Sequence, residues 1–422
     1  MKACVLTLGC KVNAYESEYI KEQFIKKDYE IVNINEHPDV IVINTCTVTN
    51  QSDAKSRKII RQAKRENPNA VLAVCGCAAE HHKENLIDLN IDILIGNHNK
   101  SIIVDLIEDY KKNKQKKIIF DDIMTIPFEN MEIDKFLNRT RGFVKIQDGC
   151  NNYCSYCIIP YMRGNCRSKD INEAYEEIKK LTENGYKEIV LTGIHTGHYG
   201  EDKDYDLTDL IKKITPLPNL VRIRISSIEI TELTDKFMLE LKNNKKLCSH
   251  MHVPIQSGSE KILKLMNRKY NKEEFINIIN KLRLTRPDIS ITTDLIVGFP
   301  DETDENLKET IETINKIGFT KIHVFPYSTR SNTKAASMKN QIPENIKKER
   351  VKEMLKISET LEAKYYNKFL NKEVEILIEN NNEGLTDNYI KVNLNENYHN
   401  GEIKKALITK VENNKVYGKV ID

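Results

Sequence analysis

The 422-residue chain contains no tryptophan and no run of about 18 apolar residues. The second absence excludes a membrane-spanning helix. The first accompanies a composition rich in Lys, Asn and Ile, as an AT-rich genome produces, and says little about function. The opening stretch MKACVLTLGCKVNAYESE has no signal-peptide apolar core and no cleavage site, so it reads as a first strand of a cytoplasmic protein. Neither charge sign dominates: Lys and Arg number 65, Asp and Glu 62, for a net charge of +3. Charge alone therefore neither demands nor excludes nucleic acid, because a local basic groove can coexist with a neutral total. No His–acid–nucleophile set is visible, so triad chemistry is not suggested. What is present suits a globular protein of two or three domains, with 40% hydrophobic and 30% charged residues. Ten cysteines in a cytosolic chain point to metal or catalysis rather than to disulfides.

Three of these form the C-x3-C-x2-C run Cys150, Cys154 and Cys157, preceded by Asp148-Gly149 and closed by Ile158-Ile159-Pro160. A structural zinc site takes four ligands, and its cysteines usually come as two separated C-x2-C pairs. A cubane iron–sulfur cluster has four irons, so three thiolates leave one iron open to a non-protein ligand. The run resembles the radical S-adenosylmethionine (radical SAM) signature. That resemblance implies that the open iron holds the amino and carboxylate groups of SAM.

Before this run, short apolar segments at Ala3–Leu8, Val40–Ile43, Ala70–Val74 and Ile91–Ile95 alternate with helix-like stretches at Ser17–Lys27 and Ser52–Glu66. Such alternation predicts a parallel α/β sheet. Cys10 ends the first strand, Cys46 the second, and Cys75-Gly76-Cys77 the third. Ligand sites of open α/β sheets lie beyond the carboxyl ends of the strands. The three cysteines are thus expected to meet at one rim and to hold a second three-thiolate cluster. Periodicity does not choose between Cys75 and Cys77, since residues two apart on a strand share a face. Cys77 is preferred because it follows Gly76 at the strand exit. Cys4, mid-strand, reads as core. The run YKKNKQKK over 110–117 reads as a solvated helix end. Residues 121 to 140, with Pro127 and scattered acids, look like a linker.

After the linker, strand candidates recur at Phe143–Ile146, Glu188–Leu191, Val221–Ile225, His252–Ile255, Ile289–Ile296 and Lys321–Phe325. Helix-like segments separate them, at Ile171–Asn184, Leu207–Ile214, Leu233–Asn243, Lys272–Leu284 and Thr303–Ile317. Six such units predict an open, six-stranded version of the β/α barrel, with its active site at the carboxyl ends of the strands. The strand-end tails carry Gly193, Ser227, Glu229, Gln256 and Gly298. Glycines permit close backbone approach, and the polar groups can hold the ribose, amino and carboxylate groups of a nucleoside cofactor such as SAM. Arg163 and Arg167, just past the cysteine run, are either ion-pair arginines or contacts to phosphate or an acidic substrate group. Cys166 reads as a bystander thiol and Cys248 as core. Pro343–Phe369 reads as an amphipathic helix packed on the barrel. From Glu373 the pattern alternates in VEILIE, YIKVNL and KKALITKVENNKVYGKVID, which predicts a small OB-like β-barrel. Its Lys391, Lys404, Lys405, Lys410 and Lys415 could hold an RNA backbone without reading sequence.

Taken together, these motifs resemble the methylthiotransferase family of radical SAM enzymes. The matching stretches are LGCKVNAYESE from Leu8, NTCTVT from Asn44, CGCAAE from Cys75, DGCNNYCSYCIIPYMRGNCRS from Asp148 and LTGIHTGHYG from Leu191. They continue with SSIEI from Ser226, HVPIQSGSEKILKLMNRKY from His252, DLIVGFPDET from Asp294 and HVFPYS from His323. They run through the whole chain in the family order. The resemblance implies an α/β fold of three parts: an N-terminal parallel α/β domain over 1–120, a central partial (β/α)6 radical SAM barrel over 136–368, and a C-terminal TRAM barrel over 369–422. It implies two 4Fe-4S clusters, one on Cys10, Cys46 and Cys77 and one on Cys150, Cys154 and Cys157. Cys75, where the family more usually has Thr or Ser, leaves the choice of third ligand slightly open. The implied partners are the tRNA anticodon stem-loop and an electron donor such as flavodoxin or ferredoxin, with no membrane.

Within the family, Lys11-Val12 and HVFPYS resemble the branch acting on N6-threonylcarbamoyladenosine at position 37 of ANN-decoding tRNAs. The implied reaction is methylthiolation at C2, using two molecules of SAM, through a 5′-deoxyadenosyl radical. The rivals are the isopentenyladenosine branch, which usually has Gln-Met in place of Lys11-Val12, and an iron–sulfur RNA-binding or redox protein without SAM turnover. The strand-end tails argue against the last, since an electron carrier has no need of them.

Overall fold

The computed structural model describes residues 1–421. Its first unit is a six-stranded, all-parallel sheet in the order Glu30–Ile31, Lys2–Thr7, Val40–Thr45, Val71–Gly76, Ile93–Ile95 and Lys117–Ile119. Alternate residues of the strands feed two cores, as the pleat requires. Ala3, Val42 and Ala73 pack with Ile20 and Phe24 of the helix Lys11–Ile25 and with Ile103 and Ile107 of the helix Ile103–Asn113. Cys4, Ile41, Ile43 and Leu72 pack with Ile60 and Ala63 of the helix Asn50–Glu66 on the other face. The first helix begins at Lys11, six residues before the expected Ser17. Its buried positions include Asn13, Glu16, Ser17 and Glu22, so it lacks the apolar stripe that would have marked it.

The segment expected as a linker is irregular but not slack. Met131, Ile133 and Phe136 are buried in the core of the central unit, and the Tyr15 hydroxyl donates to the Met131 carbonyl and to Glu177. The short acidic stretch is therefore a strap holding the first helix to the barrel.

The central unit has two parallel three-stranded runs. The first comprises Gly142–Lys145, Glu188–Thr192 and Arg222–Ile225, and the second His250–His252, Ser290–Val297 and Lys321–Pro326. A parallel bridge between Ile223 and Leu247, with the Cys248 N–H donating to the Ile223 carbonyl, joins them into one six-stranded open barrel. The fourth strand lies two residues earlier than expected, because the chain leaves the ladder before Pro254, which has no N–H to give. The helix Glu344–Asn367 covers the last strand. Its Ser358 hydroxyl accepts from the Ile322 N–H at 3.0 Å.

The strands alternate sharply. Val144, Ile189, Leu191, Ile223, Ile225, Met251, Ile291, Leu295 and Ile322 face the helices. The other face carries Lys145, Glu188, Thr192, Arg222, Arg224, Ser226, His250, His252, Thr292, Asp294 and His323. Its contacts run around the lumen: Arg224 to Glu188 at 2.6 Å, Thr192 to Ser226 at 2.6 Å, His252 to Thr292 at 2.9 Å and His252 to Asp294 at 3.4 Å. A closed eight-stranded barrel fills this space with branched apolar side chains. Here the lumen is polar, and so suited to a polar ligand rather than to packing.

The C-terminal unit is a closed five-stranded barrel of Glu373–Asn380, Glu383–Thr386, Lys391–Leu394, Lys415–Val420 and Ile403–Glu412. It closes the amino-terminal end of the lumen. Arg222 donates to the Leu385 carbonyl and Arg224 to the Thr386 and Asp387 carbonyls. Tyr389 stacks on His250 with centroids 4.4 Å apart, beneath the Arg224 guanidinium. Among the described residues no helix is long and apolar enough to cross a membrane.

Candidate functional site

The Cys150–Cys157 loop leaves the carboxyl end of the first barrel strand. Gly149 takes φ +76°, and a Cβ there would lie 1.9 Å from the Asn165 carbonyl oxygen, so only glycine lets the chain pass. Ser155 anchors the loop: its N–H donates to the Met266 carbonyl at 3.0 Å, its hydroxyl to Leu265 at 2.7 Å, and its carbonyl accepts from Ala335 at 2.7 Å. The three cysteines are half-buried and free of disulfides. Burial raises the Cys154 and Cys157 thiols, and neighbouring thiolates of the trio raise them further. Three thiols that oppose one another's ionisation suit a shared metal centre, which would neutralise them together.

At the rim of the first unit, Gly9, Gly76 and the strand ends bring a second trio together. Cys46 packs directly on Gly9, where a Cβ would sit 2.8 Å from its sulfur. Cys10 precedes the helix Lys11–Ile25, and Cys77 opens the helix Cys77–His81. Burial, then the charges of Cys77 and Cys10, push the Cys46 thiol up to about 11. Gly76, at φ +99° and tight against the Thr45 carbonyl, turns the chain out of the sheet between the two candidate cysteines. Cys75 is 0% exposed and lies in the apolar core with Val40, Ala73 and Ile93. Cys77 instead packs against Ile158 and Met162, directly after the other cysteine loop. The two trios therefore flank one short segment of the central unit.

A buried ionic network holds the two units together behind this segment. The Arg163 side chain, 1% exposed, donates to Glu16 at 3.1 Å, Asp148 at 2.9 Å and Asn13 at 2.6 Å. Lys100 and Lys145 also reach Glu16, at 2.5 and 3.3 Å. Burial alone would raise the Glu16 carboxyl, but Arg163, then Lys100 and Lys145, hold it far below the usual carboxylate range. Arg167 donates to the Arg163 and Asn165 carbonyls and lies 3.8 Å from Asp148. Both arginines are thus ion-pair arginines. Arg163 is buried and Arg167 half-buried, and the Nε of each has no hydrogen-bond partner among the described residues.

The strand-end tails divide. Glu229 pairs with Arg268, whose Nη1 is 3.2 Å from the Cys154 sulfur. Gly193 is packed on Gln147, which accepts from the His195 N–H, and His195 Nδ1 lies 3.6 Å from the Cys150 sulfur. Gln256 holds φ +62° and bridges Asp294 and Ile296 through its backbone, and Ser227 is half-buried. Beside Gly298, on the side that a Cβ would occupy, lies Lys347, 2.4 Å from that position. Sequence reasoning passed over Arg268, within LKLMNRKY, because nothing local marks it as reaching a cysteine 114 residues away.

Residues 144–314 match the Radical SAM superfamily model, and residues 2–96 match the model described as Uncharacterized protein family UPF0004. The threonylcarbamoyladenosine tRNA methylthiotransferase MtaB of Bacillus subtilis is 43% identical over 399 residues, 92% of this chain and 88% of that protein. This chain belongs to the MtaB methylthiotransferase family. The MtaB of Aquifex aeolicus is 38% identical over 97% of this chain and 100% of its own length. A tRNA-2-methylthio-N(6)-dimethylallyladenosine synthase of Acetivibrio thermocellus is 35% identical, covering 89% and 80%. Among solved structures, the radical SAM methyltransferase TsrM of Kitasatospora setae superposes with a TM-score of 0.59 at 12% identity, over 79% of this chain and 73% of that one. That likeness is one of fold. In this MtaB-family chain the matched Radical SAM region carries the Cys150–Cys157 loop, and the matched N-terminal region carries Cys10, Cys46 and Cys77.

Proposed function

We propose that this protein is a cytoplasmic tRNA methylthiotransferase acting at C2 of N6-threonylcarbamoyladenosine-37 in ANN-decoding tRNAs. The observation that carries the reading is the pair of three-cysteine sites on either side of Ile158 and Met162, at the mouth of a polar half-barrel. Cys150, Cys154 and Cys157 would hold one 4Fe-4S cluster, with Gly193, Ser227, Glu229 and Gln256 around SAM. Cys10, Cys46 and Cys77 would hold the other. When bound, these cofactors supply the one-electron chemistry and the sulfur, which acid–base side chains cannot provide at an unactivated C–H bond. The chain's own part is positional. Its strand ends orient the cofactor, the N-terminal rim faces the barrel mouth, and a base from a single-stranded anticodon loop enters at low unstacking cost. Domain limits of 1–120, 136–368 and 369–422 fit this division, as does a flavodoxin or ferredoxin as electron donor.

Anaerobic reconstitution with iron, sulfide, dithionite and SAM is expected to yield 5′-deoxyadenosine. With tRNA carrying threonylcarbamoyladenosine, it is expected to yield a 2-methylthio product by nucleoside mass spectrometry. A reconstituted protein that forms no 5′-deoxyadenosine would rule the reading out. Arg268 supplies a second expectation. Its guanidinium opposes the burial that raises the Cys154 thiol. Arg268→Met is expected to weaken iron retention at this loop by roughly 10- to 100-fold, as loss of a partner to a metal ligand does. Iron titration with a chelator reads this, and retention equal to wild type would show that the guanidinium does not support the site.

A further inference from the structure

The helix Asn50–Glu66 is set apart by its charge. Lys55, Arg57, Lys58, Arg61, Lys64 and Arg65 stand against Asp53 and Glu66, six cations to two acids, so this one helix carries +4 while the whole chain carries +3. Among the described residues no other helix exceeds +1. The buried face is Asp53, Ser56, Ile60 and Ala63, and the Asp53 carboxylate turns inward to Arg330 at 2.7 Å and His82 at 3.1 Å. The exposed face holds Lys55, Lys58, Arg61 and Arg65. These are three or four residues apart and form one stripe about 15 Å long. Lys55, Lys58 and Arg61 have no hydrogen-bond or ion-pair partner among the described residues, and Arg65 reaches only Glu66, at 3.4 Å. Like charges at this spacing weaken a helix, so the fold gains nothing from the stripe.

The stripe begins at the site already described. The Asn50 N–H donates to the Ser328 hydroxyl at 3.1 Å, and the Arg330 guanidinium donates to Asn50 at 2.9 Å and to Thr47 at 2.7 Å. Ser328 follows the last barrel strand, so the helix starts at the barrel mouth and runs outward from it. We propose that Lys55, Lys58, Arg61 and Arg65 hold the sugar–phosphate backbone of the tRNA where it leads away from the target base. This rests on the tRNA reading above. Phosphates need only cations along their path. A docking protein would need an apolar or aromatic anchor, and lysine is depleted at such interfaces. The exposed face of this helix carries no large apolar side chain.

The experiment compares wild type with the triple variant Lys55→Gln, Lys58→Gln, Arg61→Gln, both reconstituted, in binding a tRNA with threonylcarbamoyladenosine at position 37 and the same tRNA with plain adenosine. Glutamine keeps the helix, so folding is preserved. The variant is expected to bind both tRNAs roughly 10-fold or more weakly, by the same factor for each, and to lower the slope of log affinity against log salt by about 2 to 3. A control with the same change in net charge, Lys348→Gln, Lys352→Gln, Lys356→Gln on the exposed side of the helix Glu344–Asn367, is expected to keep the wild-type slope. A Lys55/Lys58/Arg61 variant with wild-type affinity and slope overturns the inference, and so does a control that loses as much. Unchanged RNA binding with slower reduction by an acidic flavodoxin would make the stripe a protein-docking surface instead. If wild type methylthiolates the modified tRNA in these cases, the functional reading stands and only the role of the stripe falls. A wild type that methylthiolates neither tRNA overturns the functional reading itself.

Discussion

Replacing Arg163 by methionine is expected to remove about 3–5 kcal/mol of folding stability near pH 7, the cost of stripping one partner from a buried ion pair. The magnitude follows from what is left behind. Glu16 is fully buried, and its carboxylate faces Arg163, Lys100 and Lys145. Asp148 is buried as well and would lose its 2.9 Å partner. Methionine fills the volume and gives back no hydrogen bond, so the loss is electrostatic rather than a cavity. The pH dependence has a definite sign. In the wild type the folded-state Glu16 carboxyl lies well below its ordinary value of 4.5. Its contribution is present above that value and is lost as pH falls toward the folded-state value. In the variant the burial that raises this carboxyl is opposed by two lysines only. The difference between the proteins is therefore largest at neutral pH and narrows below about pH 4. Urea denaturation at pH 7 and pH 3.5 checks this. Equal differences at both pH values would mean that packing, not charge, accounts for the loss.

The same network shows what could be read from the sequence and what could not. Strand-end cysteines were legible because a parallel α/β sheet places every carboxyl strand end at one edge, whatever the details of packing. Cys10 and Cys46 needed only that rule, while preferring Cys77 to Cys75 also needed the strand exit at Gly76. The six barrel strands were legible, since Ile189, Ile223 and Ile291 each alternate with a polar neighbour, and the alternation from Glu373 marked a small terminal β-barrel without its strand count. The role of Arg163 was not. Its partner Glu16 lies 147 positions away on a helix whose buried polar residues hide its own start. Arg268 stayed hidden for the same reason. Residues 121 to 140 looked like a linker because Met131, Ile133 and Phe136 are spaced among acids and show no helix or strand period. Their burial comes from the unit they strap onto. In each case the missing information was a contact between parts of the chain distant in sequence, which no local pattern encodes.

Cys75 and Cys77 are expected to respond oppositely to the same substitution, and this is the largest effect on activity. Cys77→Ala is expected to abolish methylthio transfer while leaving 5′-deoxyadenosine formation at the other loop. Cys75→Ala is expected to keep transfer and to lose only about 1–2 kcal/mol of stability, the cost of a small void in an apolar core. The cause is the backbone at Gly76. Val71, Ala73 and Cys75 share one face of the sheet and pack in one core, and a regular strand would send residue 77 to that face too. Gly76 instead takes φ +99° against the Thr45 carbonyl, a conformation costly for any residue with a Cβ. The chain turns, a helix starts, and the Cys77 sulfur comes to Ile158 and Met162. Cys75 stays buried in the apolar core with Val40, Ala73 and Ile93. Iron analysis separates the two variants without reference to turnover. After reconstitution, Cys77→Ala should hold about half the wild-type iron and Cys75→Ala the full amount, as one of two equal cubane sites is lost. The reverse pattern would make Cys75 the ligand and would require the turn at Gly76 to be undone when the cluster binds.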